Sequence, residues 1–215
     1  MLALFFSTLL ISYSGAMMPG PLLTYTVERS LSRGWRTGLL VPLGHALLEI
    51  LVVVLLSLGL GSFLNAPVPK ILMLFAGGLV LLWFGFGMVK GAVRGDIRMR
   101  EPGTANARTG DAETVVKSAV ISLMNPYFLL WWATVGLGLM LANSGMGIWG
   151  IVVFYLGHTA ADFTWYFAVS LLCGKVSRFI TGRPYRIVIG ALGGVLGFFA
   201  VKFMVDGIVL LSQLN

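Results

Sequence analysis

Gly44–His45–Ala46–Leu47–Leu48–Glu49 sits in a run from Thr37 to Pro69 that holds no other ionisable side chain. An acidic residue at the centre of an apolar helix costs about 2.5–3.5 kcal/mol on membrane-insertion scales. A chain that keeps one there has a use for it. The pattern returns downstream as Gly157–His158–Thr159–Ala160–Ala161–Asp162, again inside an apolar run. Gly-His-x-x-x-acid thus occurs twice, and the two copies set the expected architecture.

The surroundings of these stretches fix the class of protein. The 215 residues are 58% hydrophobic and 11% charged, with a mean hydropathy of +0.92. Soluble domains carry about 25% charged residues, so the expectation is an all-α integral membrane protein. Six spans are expected, near residues 2–27, 37–61, 70–90, 117–141, 147–173 and 186–211, each close to or above the ~20 residues a spanning helix needs. Barrel strands would alternate over about 10 residues, and no such alternation occurs. No basic region precedes the first apolar run, which is therefore read as a span and not as a secretion signal. Cys173 is the single cysteine, so no intrachain disulfide is expected.

The net charge of +7 does not indicate nucleic acid, because its basic residues fall between apolar runs. Arg29, Arg33 and Arg36 follow the first span. Lys90, Arg94, Arg98, Arg100, Arg108 and Lys117 surround the third connection, and Lys175, Arg178, Arg183 and Arg186 occupy the fifth. The second connection has only Lys70 at its edge, and the fourth, near Asn143–Met146, has none. Basic loops stay in the cytoplasm. The expected protein is a multi-pass plasma- or inner-membrane protein with both termini outside.

Residues 1–90 and 117–215 read as two three-helix repeats joined by a flexible cytoplasmic linker, 91–116, whose Gly, Pro, Thr and mixed charges lack the apolar surface to pack. Pro19–Gly20–Pro21 in span one parallels Asn125–Pro126–Tyr127 in span four, and Gly77–Gly78 parallels Gly193–Gly194. Three spans per half is an odd number, so the second half must run opposite to the first. Inverted repeats of this kind place a transport site between the halves at the membrane midplane. Glu49 lies thirteen residues after Arg36 and Asp162 thirteen before Lys175. At about 1.5 Å per residue both carboxylates sit roughly 20 Å from the cytoplasmic charges.

Within each copy the imidazole and the carboxylate are at i and i+4, on one helix face. His45, Glu49, His158 and Asp162 therefore form the expected polar centre, able to take up and release protons as access alternates. The same four side chains suit a divalent metal such as Zn or Mn as transported cargo, and helix-to-helix polar contact is the plainer alternative. The prolines break spans one and four, leaving amide donors at the start of each second half. Half-helix N-termini of this kind receive anionic substrate groups, with Asn125 and Tyr127 as further hydrogen-bonding candidates. Trp131, Trp132, Trp165 and Tyr166 stand near this site or at the membrane interfaces. Lys202 and Asp206 read as a locally paired, snorkelling lysine. Gly190/Gly194 and Gly193/Gly197 suit internal packing or a homodimer.

Pro19–Gly20–Pro21, Ser30–Leu31–Ser32–Arg33–Gly34, Gly38, Gly44 and Asn125–Pro126 together resemble the LysE superfamily, in its broad LysE/RhtB branch. The likeness spans essentially the whole chain. It implies a small exporter of two three-helix halves that moves amino acids or related metabolites out of the cell against the proton motive force, in a family that also has branches exporting divalent metals. The leading expectation is a secondary, proton-coupled exporter of a small amino-acid-like metabolite that works by alternating access, with no cofactor. A divalent-metal exporter built on His45, Glu49, His158 and Asp162 is the alternative, and a membrane scaffold the third. No motif places an activated nucleophile, so an enzyme is not expected.

Overall fold

The computed structural model of the protein describes residues 1–18, 20–61, 63, 66–95, 110–176 and 182–213. Pro19, the central part of the expected linker with Arg98, Arg100 and Arg108, and Arg178 in the fifth connection lie outside the described residues. Among the described residues the chain is all helix. The helices are α1 (Leu2–Ala16), α2 (Pro21–Arg33), α3 (Thr37–Leu55), α4 (Pro67–Arg94), α5 (Asp111–Leu123), α6 (Pro126–Trp131), α7 (Leu137–Ala142), α8 (Gly147–Val176) and α9 (Arg183–Ser212). A 3₁₀ turn, Gly34–Arg36, joins α2 to α3. Wider π turns extend α3 through Leu56–Leu60 and join α6 to α7 through Trp132–Gly136.

Proline stands in the first turn of α2, α4, α6 and α9, where its missing N–H costs nothing and its fixed φ suits helix entry. The α4 helix stops at Gly95, which is left-handed at φ 77°, a conformation glycine adopts without a Cβ penalty. The linker is shorter than the sequence suggests. Residues 91–94 still belong to α4 and 111–116 already to α5. Asp111 and Glu113 sit in the first turn of α5, where negative charge favours a helix start. Glu113 also pairs with Lys117 at 2.5 Å.

Polar and apolar residues are distributed inside out. Leu2, Leu58, Trp83, Phe86, Val93 and Phe198 are exposed, while Thr8, Ser12, Thr26, Ser30, Glu49, Ser118, Ser122, Asp162 and Ser170 are buried. An apolar exterior around a polar interior suits lipid as the surrounding solvent. Pro21–Leu60, Pro67–Arg94 and Arg183–Ser212 are each long and apolar enough to cross a membrane. The α5 helix with the helical stretch Tyr127–Ala142, bent by 67°, makes a fourth candidate.

The packing order crosses the middle of the sequence. The α4 helix lies along α9, α3 against α5, and α1 against α8, while α3 and α8 also meet. Thus the two helices that carry the Gly-His-x-x-x-acid stretches, α3 and α8, each pack on a helix from the other part of the sequence, α5 and α1. Gly85 and Gly193 set the α4–α9 contact: a Cβ on either would come within 2.7–2.8 Å of the other's carbonyl oxygen. Arg186 of α9 locks the end of α4, donating from Nε to Ala92 O at 2.8 Å and from Nη2 to Val93 O at 3.2 Å. Exchanging Arg186 for Met should lower stability by about 1–2 kcal/mol, the range for charged hydrogen bonds at a partly exposed site. Thermal unfolding of purified protein in detergent reads this directly, and an unchanged midpoint refutes the capping role.

Candidate functional site

Two helix junctions, α1 to α2 and α5 to α6, lie side by side. The α1 helix ends at Ala16, and α2 starts at Pro21 behind Gly20, an extended N-cap with no side chain to satisfy the first-turn amides. In the second half α5 ends at Leu123, and Asn125 caps α6 by accepting from Tyr127 N at 3.1 Å. The amide nitrogen of Asn125 lies 3.3 Å from where a Cβ on Gly20 would stand. Tyr127 reaches back across the gap, its hydroxyl donating to Ser14 O at 3.3 Å. Gly20, Asn125 and Tyr127 therefore border one space; Pro21 and Pro126 serve as helix starts.

The structure brings His45, Glu49, His158 and Asp162 together in that same place. All four are buried, Glu49 with no exposed surface. Glu49 Oε1 is the hub. It lies 2.6 Å from His158 Nε2, 3.1 Å from His45 Nε2 and 3.3 Å from Trp132 Nε1, which donates to it. Asp162 Oδ2 is 3.4 Å from His158 Nε2. Among the described residues neither Glu49 Oε2 nor Asp162 Oδ2 accepts a hydrogen bond. A buried carboxylate oxygen without a donor is costly, so both are poised to receive one.

The far nitrogens of the two rings are held by serines of the opposite half. His45 Nδ1 lies 2.7 Å from Ser122 Oγ on α5, and His158 Nδ1 lies 2.8 Å from Ser12 Oγ on α1. The preceding glycines make this possible. A Cβ on Gly44 would overlap Val115 O and Ser118 Oγ of α5, and one on Gly157 would stand 2.7 Å from Phe5 O of α1. The same arrangement is built twice, once on each side of the centre.

Aromatic rings enclose the centre. Trp131 stacks on His158 with centroids 4.6 Å apart, Trp132 meets it edge-on at 5.0 Å, and Phe128 meets His45 at 5.2 Å. A cavity of about 40 Å³, room for a few waters, is bordered by Gly20, Asn125, Tyr127 and all four ionisable residues. Trp131, Trp132 and Tyr166 also line it, whereas Trp165 does not. Sequence reasoning did not find Ser12, Ser122 or the aim of Trp132. The π turn that begins at Trp132, a feature frequent at functional sites, carries this indole into the centre. His45, Glu49 and Asp162 offer atoms within 4.8 Å of one another, near enough to hold a metal ion, but Glu49 Oε1 already serves three nitrogens. Lys202 and Asp206 pair at 2.6 Å on an exposed face of α9, apart from this cavity.

Comparison with known proteins adds to this geometry. A family model described as LysE type translocator matches residues 13–207. The chemotactic transduction protein ChpE of Pseudomonas aeruginosa is 26% identical over 91% of this chain and 95% of its own length. The arginine exporter protein ArgO of Enterobacter sp. is 26% identical, and that of Escherichia coli K12 25%, each over 97% of this chain and 96% of the relative. No solved structure matches the chain.

Proposed function

The chain belongs to the LysE type translocator family, and on that premise we propose that it exports an amino acid or a similar small zwitterion across the inner membrane, coupled to protons. The observation that carries the proposal is the buried His45–Glu49–His158–Asp162 cluster beside a cavity bordered by both helix interruptions. A zwitterion needs an acceptor for its ammonium group and donors for its carboxylate. Among the described residues Glu49 Oε2 and Asp162 Oδ2 accept no hydrogen bond, and the uncapped first turn of α2 behind Gly20 supplies donors with partial positive charge.

We read the two halves as inverted three-helix repeats in a six-span fold, with α1–α2 and α5–α7 as broken spans. The crossed packing of α1 on α8 and α3 on α5 supports that reading, as does the doubled Gly-His-Ser arrangement. Alternating access is then a rocking of one half against the other around the polar centre. The basic loops would face the cytoplasm and both termini the outside. The relatives named above include arginine exporters and no metal carrier, which favours an amino acid over a divalent metal as cargo.

Transport in proteoliposomes tests the proposal. With an imposed pH gradient, at least one of a panel of radiolabelled amino acids, arginine included, should accumulate, and its movement should carry protons that a trapped pH dye records. A panel in which none moves, under either gradient direction, rules the reading out.

A further inference from the structure

The two histidines look equivalent by sequence, but the serines behind them differ. A serine hydroxyl has one hydrogen to give and two lone pairs to accept with. Ser122 Oγ gives its hydrogen to Ser118 O, one turn back on α5, at 2.7 Å. Toward His45 Nδ1, at 2.7 Å, it can only accept, so that nitrogen must carry the proton. Ser12 is different. Among the described residues its hydroxyl makes no hydrogen bond besides the one to His158 Nδ1 at 2.8 Å. It can therefore turn, donating to a bare nitrogen or accepting from a protonated one.

We propose that Ser122 is a positioning residue that locks His45 with hydrogen on Nδ1, whereas Ser12 is a rotating hydroxyl that leaves His158 free to exchange its Nδ1 hydrogen. The first consequence concerns His45 Nε2. With Nδ1 protonated, Nε2 and Glu49 Oε1, 3.1 Å apart, must share one further proton, because a bare nitrogen facing a bare carboxylate oxygen has nothing to bond with. The second concerns His158, whose Nε2 is 2.6 Å from the same oxygen. Its two nitrogens connect Glu49 to Ser12 in α1, and the Ser12 hydroxyl can turn to suit a bare or a protonated Nδ1 without any backbone movement. His45 becomes a fixed support and His158 the ring whose hydrogen bonding changes. Each ring is governed by a serine of the opposite half, so a change in how the halves sit would be felt at both.

The inference rests on the transport reading only for its use, not for its test. In purified protein labelled with ¹⁵N-histidine, the ring nitrogens report directly whether each carries hydrogen. His45→Gln and His158→Gln variants assign the signals. The expected wild-type result is a protonated His45 Nδ1 that persists as pH is varied, while His158 Nδ1 changes. In Ser122→Ala the His45 Nδ1 signal should lose that constancy, and Ser122→Thr, which keeps a hydroxyl, should restore it. Ser12→Ala should alter His158 and leave His45 unchanged. A bare His45 Nδ1 in the wild type, or a His45 signal indifferent to Ser122→Ala, overturns the proposal even if the protein transports normally. If the ring signals behave as expected but no amino acid moves, the assignment of the serines stands and the functional reading fails. Where transport is measurable, Ser122→Ala should lower it roughly tenfold, the scale of one hydrogen bond to a functional group, with Ser122→Thr recovering most of the loss.

Discussion

Replacing Glu49 by glutamine should reduce export by about 100-fold or more, with a loss of stability alongside. The size follows from what gathers at one oxygen. Glu49 Oε1 meets nitrogens of His45, His158 and Trp132, and the side chain has no exposed surface. Glutamine can present its carbonyl to these groups, in which case the negative charge that holds them is gone. It can instead present its amide, in which case donors face donors. Removing one partner from a buried charged cluster typically costs 3–5 kcal/mol, about 10²–10⁴ in an equilibrium. Asp162→Asn gives the contrast. Asp162 stands beside the hub, its Oδ2 3.4 Å from His158 Nε2, so this change keeps the three contacts to Glu49 Oε1 and should impair export while lowering the unfolding temperature less than Glu49→Gln does. Efflux from proteoliposomes at a fixed pH gradient, normalised to inserted protein, measures both. Glu49→Gln protein that keeps more than about a tenth of wild-type export contradicts the role given to the hub.

The sequence was most legible where spacing alone determines geometry. An i,i+4 imidazole and carboxylate share a helix face however the helix is rotated, and equal spacings from the basic clusters set the expectation that both carboxylates lie at one depth. That the four side chains meet followed from these facts. Which oxygen becomes the hub did not, because it depends on how α3 and α8 are turned about their axes. Ser12 and Ser122 were invisible for another reason. Serines in apolar helices commonly bond back to their own carbonyls, as Ser57 does to Val53 O and Ser30 to Thr26 O. Nothing in the sequence separates these from the two that reach a histidine. By sequence Trp132 stands only near the site or at a membrane interface, because its aim is set by the π turn, whose extra residue shifts register without a mark in the sequence. The glycine pattern was half legible. Gly78 and Gly193 do form close contacts, but Gly85, which faces Gly193, has no partner in the repeat, and Gly194 faces open space.

Gly44→Ala should produce the largest loss of folded protein of any glycine-to-alanine change among the described residues. A Cβ there would overlap Val115 O, a main-chain atom of α5, as well as Ser118 Oγ. A flexible side-chain tip can swing away, but a helix carbonyl can move only with its helix. Overpacking of this kind costs about 1–3 kcal/mol and sometimes more, and a backbone clash belongs at the upper end. Gly157→Ala, whose Cβ would stand 2.7 Å from Phe5 O, should follow closely. The sign of the effect is what makes the test sharp. Gly87 and Gly194 are helical glycines with nothing within 4 Å of an added Cβ, so alanine there should be neutral or should stabilise by about 0.5–1 kcal/mol through helix propensity. Thermal unfolding followed by size-exclusion chromatography compares the four variants, and equal melting temperatures for Gly44→Ala and Gly87→Ala would remove close α3–α5 contact as a determinant of the fold. The same contact carries the site. His45 follows Gly44 directly, and Ser122 lies one turn beyond Ser118 on α5. Any separation of α3 from α5 therefore lengthens the 2.7 Å link between His45 Nδ1 and Ser122 Oγ. A folded remnant of Gly44→Ala should consequently show the altered His45 ring signal of Ser122→Ala, although its serine is intact.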